Sequence, residues 1–364
     1  MKVLITGAKG FIGKNLVKRL ERDPEVELLL FNRSDSLDSL ENNVMSADFI
    51  FHVAGVNRGK ASEFSRGNET LTQVLCDFYV KHHKNIPLVF SSTRHVDQNT
   101  SYGSSKLESE MILKKHISEK NLRIYRLDNV FGKWCKPHYN SVVATFCYQI
   151  ARSQNVTINN ADYVLPLIYI DDVVSEFESQ LRTSVISESS FEVGPIESIT
   201  VGELAKILKE FRDMRTTIEF SNLGYGLRKK LYSTYLTYLP TSCFSYEITS
   251  HSDERGHFSE FLRLGDFGQI SFFTANPKVT RGKHWHDTKT EKFLVVAGSA
   301  IFTHECCSTG EVFSERVSAQ DFKVVDTIPG WMHGVENASD EILVVMVWAN
   351  ECFNPDNPDT HGAK

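Results

Sequence analysis

Apolar residues in the first part of the chain fall in short blocks that alternate with amphipathic stretches. "KVLIT" (2–6), "VELLLFN" (26–32), "DFIFHVAG" (48–55), "PLVFSS" (87–92) and "LRIYRL" (122–127) have the length and composition of buried strands. Between them, "IGKNLVKRLER" (12–22), the stretch from Glu69 to Lys84 and "SSKLESEMILKKHISEK" (104–120) carry helical spacing. Strand and helix in alternation predict βαβ units around a parallel sheet. Residues 151 to about 240 keep the mixed pattern, with Thr200 set to cap a helix over "TVGELAKILKEFRDM" and Glu203 set to complete a capping box. From about Phe244 the texture changes. "GQISFFT", "KFLVVAG", "SAIFTHE", "FKVVDTI" and "EILVVMVWA" follow one another with Gly, Pro, Asn and Asp between them and no helical stretch. That pattern predicts an all-β sandwich or barrel. The boundary falls in "KKLYSTYLTYLPTSCFSY", giving domains 1–243 and 244–364.

Length fits two domains: 364 residues exceed a single ordinary core. A net charge of −6 without a basic run gives no footprint for nucleic acid or an anionic membrane. No apolar run approaches a membrane span, and strand-like "KVLIT" begins at residue 2 with no leader ahead of it. The 7 cysteines are odd in number and lack CxxC spacing, so neither a disulfide framework nor a cysteine zinc knuckle is expected. These features point to the cytoplasm.

In "TGAKGFIG", Gly7, Gly10 and Gly13 follow a predicted strand and open a predicted helix. There Gly7 allows the tight turn, Gly10 lets a pyrophosphate approach the backbone and Gly13 lets the helix lie close to the sheet. The diphosphate of a dinucleotide would rest on the helix N-terminus. At the end of the second strand an NAD-binding chain carries an acid for the ribose 2′-hydroxyl; here Asn32 and Arg33 stand there, and a guanidinium suits the 2′-phosphate of NADP(H). Tyr102 and Lys106 in "YGSSK" are four apart and share a helix face. A lysine ammonium beside a phenol is expected to lower the phenol's pKa and ready it to protonate a carbonyl oxygen. Thr93, at the end of "VFSST", offers a hydroxyl for the same oxygen.

"TGAKGFIG", "FHVAG", "FSST", "YGSSK", "RLDNVFG" and "YIDDVV" occur in the order found in extended short-chain dehydrogenases/reductases, and residues 1 to about 240 resemble that family. The resemblance implies a Rossmann-type doubly wound parallel sheet and a nucleotide-sugar substrate. It makes Thr93, Tyr102 and Lys106 the catalytic triad, with Lys106 also on the nicotinamide ribose. Phe11, Ile12 and Ala54 join the cofactor cradle, and Asn129 approaches the sugar nucleotide. Family members that eliminate water have an acidic pair after the Ser/Thr position; Arg94 and His95 follow here. That leaves reductase or epimerase, and exchange of an NADP-type cofactor favours reductase.

A second constellation lies in "RGKHWHDTKTEKFLVVAG" and "PGWMHGVEN": His284, His286, Glu291 and His333. Residues two apart on a strand point the same way, so the first two histidines can face one interior. Three imidazoles and a carboxylate suit Zn²⁺, Fe²⁺, Mn²⁺ or Ni²⁺. The spacing, closed by Gly298, resembles the cupin superfamily and implies a jelly-roll barrel for residues 245 to 364. Pro329 stands one place later than in the usual second motif. Zinc is the first choice of metal, and both a catalytic and a structural role stay open.

An extended reductase followed by a cupin resembles, over essentially the full length, the bifunctional enzymes of capsular polysaccharide synthesis. That implies a homodimeric oxidoreductase with epimerase activity acting on a UDP-sugar. The cupin would invert C3 of a UDP-2-acetamido-2,6-dideoxy-4-ketohexose, with His304 and Lys283 among the possible bases. The reductase would then reduce C4 with NADPH to UDP-2-acetamido-2,6-dideoxy-L-talose, a precursor of N-acetyl-L-fucosamine in capsule or O-antigen. Two other readings stay open: a reductase with a non-catalytic, sugar-binding or dimerising cupin, and an NAD-dependent C4 epimerase.

Overall fold

The computed structural model describes residues 1–183 and 191–362. It divides into two compact units, one of Met1–Lys209 with Tyr225–Pro240 and one of Glu210–Gly224 with Thr241–Lys364. The strand pattern assigns 210–224 to the first domain. In the structure this segment is tied to the β unit by backbone bonds from Phe220 N to Arg263 O and from Arg263 N to Ile218 O, both 2.7 Å.

In the first unit, β1 (Lys2–Thr6), β2 (Glu27–Phe31), β3 (Phe49–His52), β4 (Leu88–Thr93) and β5 (Leu122–Leu127) form one sheet in the order β2-β1-β3-β4-β5. All four pairings are parallel. Both faces are covered, which is why the strands read as continuous apolar runs. One core holds Val3, Ile5, Phe49 and Phe51 against α1 (Phe11–Leu20) and α7 (Ile170–Ser179). The other holds Leu4, Ile50, Leu88 and Phe90 against α2 (Leu37–Ser46), α4 (Leu71–Lys81) and α5 (Ser101–His116). The helix expected from Glu69 to Lys84 is more complex: short α3 (Ala61–Phe64) passes through a π-helical turn, Ser65–Thr70, into α4. A small sheet of β6 (Asn129–Phe131), β7 (Val164–Tyr169) and β8 (Glu197–Thr200) follows, with α6 (Val142–Ile150) between β6 and β7. Thr200 accepts from Glu203 N at 3.1 Å and caps α8 (Val201–Thr217) as expected. Part of the aromatic junction segment is helical, in α9 (Gly226–Leu236), and buries Leu231 and Tyr235. Among the described residues no helix is long and apolar enough to cross a membrane.

The second unit has two antiparallel sheets. β9 (His251–Asp253), β10 (Gly256–Arg263), β11 (Gln269–Ala275), β13 (Glu291–Ala297), β16 (Val324–Asp326) and β18 (Leu343–Ala349) form the first, in the order β16-β13-β18-β11-β10-β9. β12 (Thr280–Trp285), β14 (Ser299–Cys306), β15 (Val312–Ser318), β17 (Trp331–Asn337) and β19 (His361–Gly362) form the second, in the order β15-β14-β17-β12-β19. Alternate residues of β11, β13 and β18 (Phe273, Phe293, Val295, Val345) meet Ala300, Phe302 and Val335 of the other sheet in one core. This packing of inner faces is the expected sandwich.

Candidate functional site

In the first unit the order β2-β1-β3 puts a topological switch between β1 and β3, where open α/β sheets bind ligands beyond the strand ends. A cavity of about 470 Å³ opens there, lined by Gly10, Phe11, Ile12, Thr93, Tyr102 and Lys106. Gly7 sits at φ +71°, and a Cβ on it would lie 2.7 Å from the Cα of Ala54. A Cβ on Gly13 would run into the carbonyl oxygen of Gly7. The glycine turn is thus packed against the chain just past β3 on one side and α1 on the other. Gly10 caps α1 without a side-chain bond, and no acid occupies the first turn, whereas α2 has Ser36 as its cap and Asp38 in its first turn. The free N–H groups and dipole of α1 therefore suit a diphosphate. These residues fit the cofactor inferred from the sequence. Asn32 and Arg33 follow β2 outside the cavity lining, and Asn32 Oδ1 accepts from Lys9 N, itself a lining residue, at 2.8 Å.

Tyr102 and Lys106 lie in the first two turns of α5, whose N-cap Thr100 accepts from Gly103 N at 3.1 Å. A pKa depressed by Lys106 is not what the phenol shows. Burial raises it, a hydrogen bond to Thr93 works the other way, and Tyr139 raises it further. Lys106 is buried and donates to Ser91 O at 2.9 Å. Burial pulls it down to about 8, with the Glu110 carboxylate one turn on working against that fall. Glu110 is itself buried and accepts from Ser92 Oγ at 2.5 Å and from Arg126 at 3.0 and 2.8 Å. Glu110 was not singled out from the sequence, although its i+4 spacing from Lys106 was readable there. Asp128, Lys136 and Tyr139 also line the cavity without a sequence signal. Of the pair standing where dehydratases carry acids, His95 lines the cavity, while Arg94 pairs with Glu192 at 2.6 Å and Asp128 at 3.6 Å.

In the second unit His284, His286, Glu291 and His333 bring one ligand atom each within 4.8 Å of one another. His284 and His333 are cross-strand partners on β12 and β17, and His304 of β14 faces His333 from the other side. Strand alternation alone does not align His286, which lies past the end of β12; a bulge between Gly282 and His284, with Lys283 at φ +63°, re-aims this stretch. Glu291 Oε2 stands 3.5 Å from Nε2 of both His286 and His333, and Lys289 Nζ holds Oε1 at 2.9 Å. Burial works to raise the Glu291 pKa but is outweighed by His286, His333 and Lys289, which keep the carboxylate ionised. Nε2 of His286 and both ring nitrogens of His333 and His304 are buried without hydrogen-bond partners. Unpaired buried imidazole nitrogens converging on an ionised carboxylate are what a divalent cation would satisfy, so this donor set fits a metal. Among the candidate bases, His304 is buried and Lys283 exposed.

Comparison with known proteins accords with this geometry. Residues 3–194 match the NAD dependent epimerase/dehydratase family, and residues 251–361 match the polysaccharide biosynthesis C-terminal domain. The chain is 44% identical over 364 residues to a UDP-2-acetamido-2,6-beta-L-arabino-hexul-4-ose reductase of Pseudomonas aeruginosa, covering 99% of this chain and 98% of that one. It superposes over 100% of both chains on the capsular polysaccharide assembling protein CapF of Staphylococcus aureus, with a TM-score of 0.93 and 38% identity. A UDP-glucose 4-epimerase of Thermotoga maritima shares the fold over 65% of this chain, at a TM-score of 0.56 and 20% identity.

Proposed function

From the premise that the chain belongs to the NAD dependent epimerase/dehydratase family, we propose that it performs two successive steps on one nucleotide sugar. The second unit, read as a cupin, inverts C3 of a UDP-2-acetamido-2,6-dideoxy-4-ketohexose. The first then reduces C4 with NADPH, giving UDP-2-acetamido-2,6-dideoxy-L-talose for a bacterial surface polysaccharide. The observation that carries the reductive step is the convergence of Thr93, Tyr102 and Lys106 in one cavity at the switch point of the sheet. The name of the Pseudomonas relative supports the substrate class.

NADPH, once bound in this cavity, would supply the hydride for C4. Tyr102, kept protonated by burial, donates its proton to O4, and the Thr93 hydroxyl orients that oxygen. Lys106 contributes its charge beside the cofactor ribose, the N–H groups of Phe11 and Ile12 at the start of α1 would receive the diphosphate, and Arg33 would serve the 2′-phosphate. Carbonyl chemistry fixes the order: the C3 hydrogen is acidic only while C4 is a ketone, so inversion precedes reduction. His284, His286, Glu291 and His333 would hold a divalent ion, zinc first, which would supply Lewis acidity worth roughly several kcal/mol. In this reading His304, buried beside His333, would take the C3 proton, and solvent would return one to the opposite face.

The test is NADPH oxidation with the UDP-4-ketosugar. Wild type should consume one NADPH per sugar, and Tyr102→Phe should be slower by about 10²- to 10⁴-fold with cofactor binding intact. Retention of tightly bound NAD with no net NADPH consumption would instead mean a C4 epimerase.

A further inference from the structure

His286 lies beyond the last paired residue of β12, so strand register does not set the direction of its ring. The short segment Asp359–Gly362 takes that role. The Nδ1 of His286 is hydrogen-bonded to the backbone carbonyl oxygen of Asp359, an interaction that requires Nδ1 to carry the proton. Nε2 is then the basic nitrogen, and it is the one that faces Glu291. The Asp359 carboxylate is engaged as fully. Oδ1 accepts from Asp287 N at 2.7 Å, and Oδ2 accepts from Thr288 N at 2.7 Å, Lys289 N at 2.8 Å and Thr288 Oγ1 at 3.0 Å.

Those bonds fix the turn that delivers Lys289, whose ammonium takes Oε1 of Glu291 and leaves Oε2 toward His286 and His333. Two residues later the same segment pairs with β12, Gly362 opposite His284 and His361 opposite Trp285, with the Trp285 and His361 rings 4.5 Å apart. Three of the four ligand side chains are thus approached by one stretch of four residues: His284 by strand pairing, His286 by a hydrogen bond and Glu291 through Lys289. Asp287, Asp359 and His361 form a second, more exposed cluster of acids and imidazole. Asp359's oxygens are occupied by backbone N–H groups, so its role is to hold the loop.

We propose that Asp359–Gly362, with Lys289, forms the positioning shell of the metal centre, with Asp359 setting the tautomer and direction of His286 and the loop that steers Glu291. This rests on the reading that the four ligands hold a divalent ion. Outer groups that orient metal ligands typically contribute about 10- to 100-fold in affinity.

The experiment is a zinc competition titration against a chromophoric chelator on the full-length chain, with circular dichroism reporting the fold. Wild type should bind one zinc at the centre. Asp359→Ala and Lys289→Met should each bind zinc about 10- to 100-fold more weakly, and Asp359→Asn, which keeps an acceptor oxygen, should recover part of the loss. If Asp359→Ala does not fold, Thr288→Val carries the test by deleting one of the four bonds to the carboxylate, with about threefold weaker binding expected. Folded variants that bind zinc as tightly as wild type overturn the proposal. Failure of the underlying reading looks different: wild type then binds no zinc, or His333→Ala binds it as wild type does.

Discussion

The ammonium of Lys106 donates to the carbonyl oxygen of Ser91 at 2.9 Å, so its charge is anchored to the end of β4, two residues before Thr93. Burial lowers this lysine to about 8 from the usual 10.5, so the folded protein releases the proton more readily than the unfolded chain does. Between about 8 and 10.5 the unfolded chain therefore binds more protons, and stability contributed by this group rises with pH across that window. Activity should move the other way if the charged lysine serves the cofactor as proposed: kcat/KM for ketone reduction is expected to fall as pH rises through about 8. Denaturant titrations from neutral to alkaline pH on wild type and Lys106→Met check the stability arm. The rise specific to wild type should be missing in the variant.

Glu110 sustains this arrangement from behind. It is buried, joins Ser92 to Arg126 and stands one turn from Lys106. Glu110→Gln keeps the shape but leaves the partially exposed Arg126 without its carboxylate, so a loss of about 1–3 kcal/mol in unfolding free energy is expected. The same change should lower the pH at which activity falls, because the carboxylate works against the depression of Lys106. A stability loss with an unmoved pH profile would assign Glu110 to the fold alone.

Much of the first unit was legible because its strands are buried on both faces and bounded by glycine and helical stretches. The Gly7 turn, Thr93 at the end of β4 and the Tyr102–Lys106 turn of α5 all lie where the sequence expects them. The phenol's electrostatics were not legible: whether a lysine four residues away lowers a tyrosine depends on where its ammonium points, and Lys106 points to Ser91. In the β unit the five apolar runs were readable. The hairpin β9–β10 and strands β15 and β17 were not, because polar residues, exposed in β9 and buried in β17, interrupt the apolar alternation. The four metal-ligand candidates were found by spacing. The Asp359 clamp was not, since it joins residues more than 70 positions apart.

Arg33 follows the tip of β2, exposed, with Asn32 tied to Lys9 beside it. Replacing Arg33 by Ser removes the guanidinium and little else. Binding of NADPH is expected to weaken about tenfold, equal to about 1.4 kcal/mol, while binding of NADH stays unchanged. Fluorescence titration of both cofactors checks this, and equal effects on the two would remove Arg33 from the 2′-phosphate.

Metal removal should loosen the β unit, because it leaves the imidazole nitrogens of His286 and His333 buried without partners. With zinc at about 100 times its Kd, binding adds about 2.7 kcal/mol to stability. Melting of full-length protein with zinc and with chelator should show a lower transition in chelator, and His333→Ala should show little difference between the two conditions.

In the proposed reading, C3 exchange and C4 reduction belong to separate sites in one chain. The most direct measurement of this separation is deuterium entering C3 of the UDP-4-ketosugar in D₂O, using full-length Tyr102→Phe without NADPH. Exchange should proceed in this variant at a rate close to wild type and vanish in His304→Ala. Exchange that disappears with Tyr102→Phe, or persists undiminished in His304→Ala, would contradict it.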